Sequence, residues 1–151
     1  AMDSNILKGH SNDKLNGGLS DESNNIQNDG IRHTDYIYMI NGNTMIISMN
    51  SELDHHLADE MRMIIDEVID NRGVCDIIFD FCKINFMDSS GIGLIMGRYK
   101  KIRDKGKIYI VGANQSVQRI LLISGLHKIV GILKDVNSAI RDIRRGDGIN
   151  E

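Results

Sequence analysis

FMDSSGIGLIMGRYK, residues 86–100, decides how the chain is read, because it sets an acid and two hydroxyls where a β-type run gives way to a helix. A helix N-terminus leaves backbone N–H groups unbonded and carries the positive end of the helix dipole. It therefore favours a capping oxygen, and it would equally favour a phosphate carried by a serine. Spacing alone leaves two readings open. Asp88, Ser89 or Ser90 caps the helix and does nothing else, the commoner use of these residue types, or one serine is a site of chemistry. Gly93 and Gly97 lie four apart on one face of the same helix, where each costs about 1 kcal/mol against alanine, which points to a packing reason. Arg98, Lys100, Lys101, Arg103, Lys105 and Lys107 gather where this helix ends, and read as cations complementing its C-terminal dipole. No aromatic stacking platform accompanies them, so a nucleic-acid patch is the weaker reading.

Outward from that stretch the pattern is regular. Residues 36–40 (Tyr-Ile-Tyr-Met-Ile) and 44–49 (Thr-Met-Ile-Ile-Ser-Met) flank Asn41-Gly42-Asn43, predicting a β-hairpin. Asp54 can cap a helix in which Leu57, Met61, Ile64, Ile65, Val68 and Ile69 recur at three- and four-residue spacing, with Gly73 at its end. Residues 74–81 form a β-type run, and a second helix is expected from about Ser89 to Lys105. Gly106 precedes a strand at 107–112. A short helix at 116–124 follows, with Val117, Ile120 and Leu121 on one face and Gly125 closing it. A last strand near 128–133 and a helix capped by Asp135, burying Val136, Ala139, Ile140 and Ile143, complete the chain. Strand–helix alternation after an opening hairpin predicts an α/β fold: a mixed, mostly parallel β-sheet with about four helices packed on it.

The chain has 151 residues, 41% of them apolar, which suits one domain with one core. Eighteen basic and 21 acidic residues leave a net charge of −3, which gives no general electrostatic reason to bind nucleic acid or an anionic membrane. The longest unbroken apolar run is the five residues 36–40, against the ~20 a spanning helix needs, so a soluble, cytoplasmic protein is expected. Residues 1–33 are rich in Asn, Asp, Ser and Gly and predict a disordered polar tail, Ala1 before Met2 resembling a tag remnant. The folded domain is expected over 34–147 and a short tail over 148–151. Cys75 and Cys82 lie seven positions apart on one apparent strand, roughly 23 Å, too far for a disulfide, and are expected as buried thiols. His55 and His56 are adjacent helical positions about 100° apart, which cannot chelate one metal together, and no metal or cofactor is expected.

The run FMDSSGIGLIMGRYKKI resembles the phosphorylation-site segment of the STAS superfamily, in particular the bacterial anti-sigma factor antagonists. SELDHHLADEM, residues 51–61, resembles the segment leading into that family's first helix, and the later stretch 114–126, with Ser124-Gly125-Leu126, also fits. Together they cover roughly residues 35–145. Ser51 stands where the family usually has glycine, and the polar tail before Ile31 has no counterpart in the family core. The resemblance implies a STAS fold and a protein that is not an enzyme. Such a protein is the substrate and binding partner of an anti-sigma factor that is also a serine kinase. Unphosphorylated, it binds the kinase and releases a sporulation sigma factor; phosphorylated, it lets go until a PP2C-type phosphatase restores it. The phosphoacceptor implied is Ser89, with Glu52, Asp54, Asp88, Ser90, Gly91 and Ile92 at the partner surface, in a protein that is monomeric when free.

Three rivals remain. Gly91, Gly93 and Gly97 after a strand loosely imitate a dinucleotide loop, but the glycine order is wrong and neither a P-loop Lys-Ser nor a ribose-binding acid follows. A receiver-like domain phosphorylated on Asp80 or Asp88 would need an acidic pair after its first strand, and the hairpin opening argues against it. A STAS interaction module of a stress-signalling scaffold would differ only in its partners.

Overall fold

A six-residue strand on each side of Gly42-Asn43 sets one end of the sheet: β2 (Tyr36–Asn41) pairs antiparallel with β3 (Thr44–Met49), closing on Asn41 opposite Thr44. Gly42, at φ 65°, takes the positive-φ turn position that a side chain would resist. In this computed structural model the backbone is described for residues 5–8 and the whole chain for residues 35–146. The remaining elements are β1 (Asn5–Lys8), α1 (His55–Arg72), β4 (Asp76–Asp80), α2 (Ser89–Ile102), β5 (Ile108–Val111), α3 (Gln115–Ile123), a 3-10 turn at Leu126–Lys128, β6 (Gly131–Leu133) and α4 (Val136–Gly146). The strands lie in chain order across one sheet, with β1, β2 and β3 antiparallel and β3 through β6 parallel. This is the mixed sheet with four helices that the alternation predicts.

Period-two alternation in the central strands divides the core. Ile77 and Phe79 of β4 and Ile108 and Ile110 of β5 join Leu57, Met61, Ile65, Leu94, Ile95, Val117 and Leu121, so α1, α2 and α3 cover one face. Ile78, Tyr109 and Val111 point the other way and pack with Ala139, so among the described residues α4 is the helix that covers the opposite face. Tyr109, 2% exposed, donates its hydroxyl to Asp142 of α4 at 2.7 Å, which satisfies the one polar atom that its burial would strand. Strands covered on both faces read as continuous apolar runs, as β4 and β5 do.

Several expectations need correcting. Asn5–Lys8 lies inside the stretch expected to be a tail and is a strand on β2; its Ile-Leu centre is short, but the edge of β2 offers it backbone partners. The rest of 1–33, and the tail expected at 148–151, lie outside the described residues. Helix α2 stops at Ile102, not Lys105: Lys105 and Gly106 donate to the Ile102 carbonyl, and Lys107 N–H donates to Asp76 Oδ1 at 2.8 Å, drawing the chain into β5. The last strand is only Gly131–Leu133, because Gly125 at φ 83° ends α3 and residues 126–128 form a 3-10 turn first. Cys75 is half-buried and Cys82 exposed, both beyond the ends of β4, so neither is a buried core thiol. Partial desolvation and the neighbouring Asp80 push the Cys82 thiol up in pKa, which favours the protonated form.

Gly106 is seated against the carbonyl of Cys75, where a Cβ would overlap backbone atoms. Gly106→Ala is expected to destabilise the fold by about 2 kcal/mol or more, read as a lower urea midpoint at unchanged slope; an unchanged midpoint would show that the close approach costs nothing to relieve.

Candidate functional site at the paired helix N-termini

Two segments that lie 34 residues apart in the chain are tied side by side at the C-terminal end of the parallel strands. Leu53 and Met87 form an isolated parallel bridge. Leu53 N–H donates to the Phe86 carbonyl at 3.3 Å and Asp88 N–H to the Leu53 carbonyl at 3.4 Å. Both side chains are buried, at 0% and 1% exposure, so each segment is anchored by one apolar side chain in the core while its polar neighbours face outward. Directly after the bridge each segment enters a helix through the same cap. Asp54 (φ −100°, ψ −174°) accepts from Leu57 N–H at 3.0 Å, and Asp88 (φ −101°, ψ −170°) accepts from Ser90 N–H at 2.8 Å. Of the three possible caps of α2, the structure selects Asp88.

That choice leaves the serines free of capping duty. Ser89 is the first residue of α2, exposed, and its hydroxyl makes no side-chain hydrogen bond among the described residues. Ser90 and Ile92 are half-buried beside it, while Glu52 and Asp54 are exposed on the adjoining segment. The two motifs therefore share one acidic rim around Ser89. Gly91 stands apart from the others, because it is buried: a Cβ there would run into Met87 and Leu53. It lets α2 seat on the bridge, which is a positioning role. His55 and His56 are exposed, their rings edge to face at 4.9 Å.

Gly93 and Gly97 have no packing reason among the described residues, since a Cβ at either would meet nothing within 4 Å there. Instead they floor an open groove of about 400 Å³ between α1 and α2, lined also by Ala58, Asp59, Arg62, Ser90 and Arg98. Arg98 does not belong to the C-terminal cation cluster. It is 7% exposed and reaches α1, where Nε lies 3.0 Å from Asp66 Oδ1 as an ion pair whose angle is too oblique for a hydrogen bond, and a second guanidinium nitrogen donates to Asp66 Oδ2 at 3.4 Å. Burial pulls the Arg98 pKa down and the Asp66 charge holds it up, so the cation persists and locks the two helices together. Its spacing after Gly91, Leu94 and Ile95 on the buried face was the signal in the sequence.

Residues 37–139 match the family model of the STAS domain. The chain is 40% identical over 100 residues to an anti-sigma F factor antagonist from Paenibacillus polymyxa, covering 66% of this chain and 86% of that protein. It is similar in structure to the anti-sigma factor antagonist SpoIIAA in its unphosphorylated form, with a TM-score of 0.64 at 30% identity over 75% of this chain and 96% of that one. It is also similar to the Bacillus cell fate determinant SpoIIAA in the phosphorylated form, with a TM-score of 0.58 at 30% identity over 70% of this chain and 96% of that one.

Asp88→Ala removes the α2 cap and is expected to cost about 1 kcal/mol in chemical denaturation. Gly97→Ala fills open space in a helix interior and is expected to add about 0.5–1 kcal/mol, seen as a raised Tm; a lowered Tm would reveal a packing constraint at the groove. Asp66→Ala strands a buried guanidinium and is expected to cost about 3 kcal/mol, against little change for the exposed Lys101–Asp70 pair broken by Asp70→Ala.

Proposed function

Because the chain belongs to the STAS domain family, and within it to the anti-sigma factor antagonists, we propose that it works as a partner switch thrown by phosphorylation of Ser89. In its unphosphorylated form it binds an anti-sigma factor that is also a serine kinase, and so releases a sporulation sigma factor in the cytoplasm. Phosphorylated, it dissociates until a PP2C-type phosphatase removes the group. It catalyses nothing itself; it is the substrate. The observation that carries this reading is the exposed, uncommitted hydroxyl of Ser89 at the head of α2, beside a cap supplied by another residue.

The chemistry follows from that placement. A kinase needs a hydroxyl it can reach without unfolding the chain, and Ser89 offers one. The phosphate adds about −1.5 to −2 charges at neutral pH. The α2 dipole favours the new charge, so the free protein accommodates it with no rearrangement of the sheet. A partner covering the rim meets a different situation. Glu52, Asp54 and Asp88 suit basic groups at the edge of the kinase surface, with Ser90 and Ile92 as the adjoining contacts, while the part of that surface facing Ser89 is shaped to a neutral hydroxyl, so a dianion at the centre must be desolvated on docking without a cation to repay it. A penalty of about 3 to 4 kcal/mol lowers affinity by two to three decades, enough to turn a lasting complex into a transient one. Gly91 contributes from beneath, by holding α2 on the Leu53–Met87 bridge.

Ser89→Ala is expected to bind the anti-sigma kinase like the wild type and to accept no phosphate. Ser89→Asp should bind about tenfold or more weakly while melting within a degree or two of the wild type, since a single carboxylate carries less charge than a phosphate. Calorimetric titration with thermal melts checks both, and equal affinities for the two variants would sink the switch at Ser89.

A further inference from the structure

The carboxylates of the rim do not by themselves account for a lasting complex. Glu52 and Asp54 are exposed and hydrated, and an ion pair made at such a site changes affinity by about fivefold or less. Pairs of this kind set the register of docking and the rate of encounter more than the strength of the complex. Strength comes from apolar area withdrawn from water. Leu53, Met87 and Gly91 are already buried beneath the rim, and Ile92 is half-buried against the core, so they have little area left to lose.

Phe86 has that area. The chain holds three Phe and four Tyr. Tyr36, Phe79, Phe81 and Tyr109 are buried, Tyr38 and Tyr99 are half-buried, and Phe86 is the one exposed, at 49%. It stands three residues before Ser89 and next to Met87. Met87 turns into the core, and alternation along an extended segment turns Phe86 outward. Its backbone is pinned before and after it. The Asn85 carbonyl accepts from the Asn114 side-chain amide at 3.5 Å, the Phe86 carbonyl accepts from Leu53 N–H at 3.3 Å, and Asp88 N–H donates to the Leu53 carbonyl at 3.4 Å. A ring on a backbone held in this way has only two side-chain torsions to lose on docking, so most of the area it buries counts toward affinity. The other large apolar side chains exposed among the described residues are Ile37, Met63, Leu122 and Ile123, and none of them belongs to the segments that meet at the bridge.

We propose, resting on the reading of Ser89 as the switch, that Phe86 is the apolar anchor of the same contact. Its ring enters an apolar pocket of the anti-sigma kinase, bordered by the basic groups that meet Glu52 and Asp54. Ser89 then decides whether the complex persists, and Phe86 how tightly it holds while it does. An anchor outside the reacting atoms is engaged equally before and during phosphoryl transfer, so its loss raises KM and leaves kcat in place.

The test compares the wild type with Phe86→Ala, Phe86→Leu and Met63→Ala by calorimetric titration against the anti-sigma kinase, by steady-state phosphorylation and by thermal melting. Phe86→Ala should bind at least about tenfold more weakly, with KM raised by a similar factor and kcat within about twofold. Phe86→Leu should recover most of the affinity, because it keeps an apolar side chain for the pocket. Met63→Ala, which truncates an exposed side chain away from the bridge, should bind within about twofold of the wild type. A second readout needs no substitution. With 4-fluorophenylalanine at the three Phe positions, the fluorine at Phe86 is the solvent-exposed one, and it should lose solvent contact when the kinase is added. Phe86→Ala that binds within about twofold of the wild type, or a fluorine at Phe86 that stays in solvent within the complex, would overturn the anchor and leave the switch standing, provided Ser89 is still phosphorylated. A wild type that binds through Phe86 yet is never phosphorylated would remove the switch and keep the anchor, and a wild type that neither binds nor is modified would overturn both.

Discussion

Two backbone hydrogen bonds between Leu53 and the segment 86–88 hold the arrangement on which everything else rests. Without them α1 and α2 would each still pack on the sheet, but their first turns would have no fixed relation. With them, two aspartate caps of nearly identical geometry stand side by side, and the rim around Ser89 becomes a single surface. The bridge can form because Leu53 and Met87 are apolar and buried while Glu52, Asp54, Phe86 and Asp88 on either side of them are not buried, so the segments are pinned from below and open above. Gly91 completes the joint by leaving room for Met87. The Arg98–Asp66 pair secures the same two helices further along, at a point where removing Asp66 would strand a buried guanidinium.

The division of labour across the sheet explains how such a surface can change charge without endangering the fold. Large apolar side chains of β3, β4 and β5 alternate between the face covered by three helices and the face covered by α4, so the core is closed on both sides. Among the described residues the Ser89 rim meets that core through Leu53, Met87, Gly91 and the half-buried Ile92. A charge added at Ser89 is therefore felt by solvent, by the α2 dipole and by a docking partner, and hardly at all by the packing. A switch that acts through binding alone needs that separation.

Much of this was legible in the residues. The hairpin turn, the periodic face of α1 with its Asp54 cap and Gly73 stop, and the junction at Asp88 are local signals, written in residues that sit next to one another. The mixed, mostly parallel character of the sheet followed from alternation, and the resemblance of FMDSSGIGLIMGRYKKI supplied the family. What escaped were facts that depend on residues distant in sequence. Arg98 read as one of a row of surface cations until α1 placed Asp66 against it. Gly91, Gly93 and Gly97 looked alike, yet the first is crowded by Met87 and the other two face open space. Cys75 and Cys82 seemed to lie within a strand that is shorter than its apolar run. Asn5–Lys8 carries too little pattern of its own to be seen as a strand, and becomes one only because β2 leaves an edge for it.

The most direct test of the switch is to incubate the chain with its cognate anti-sigma kinase and ATP and to map the modified peptide by mass spectrometry. One phosphate on Ser89, with Ser90 unmodified, is the predicted result. A phosphate on Ser90, or a stable complex in which the chain is never modified, would contradict it, because the exposed head of α2 would then be a contact surface and not the switch.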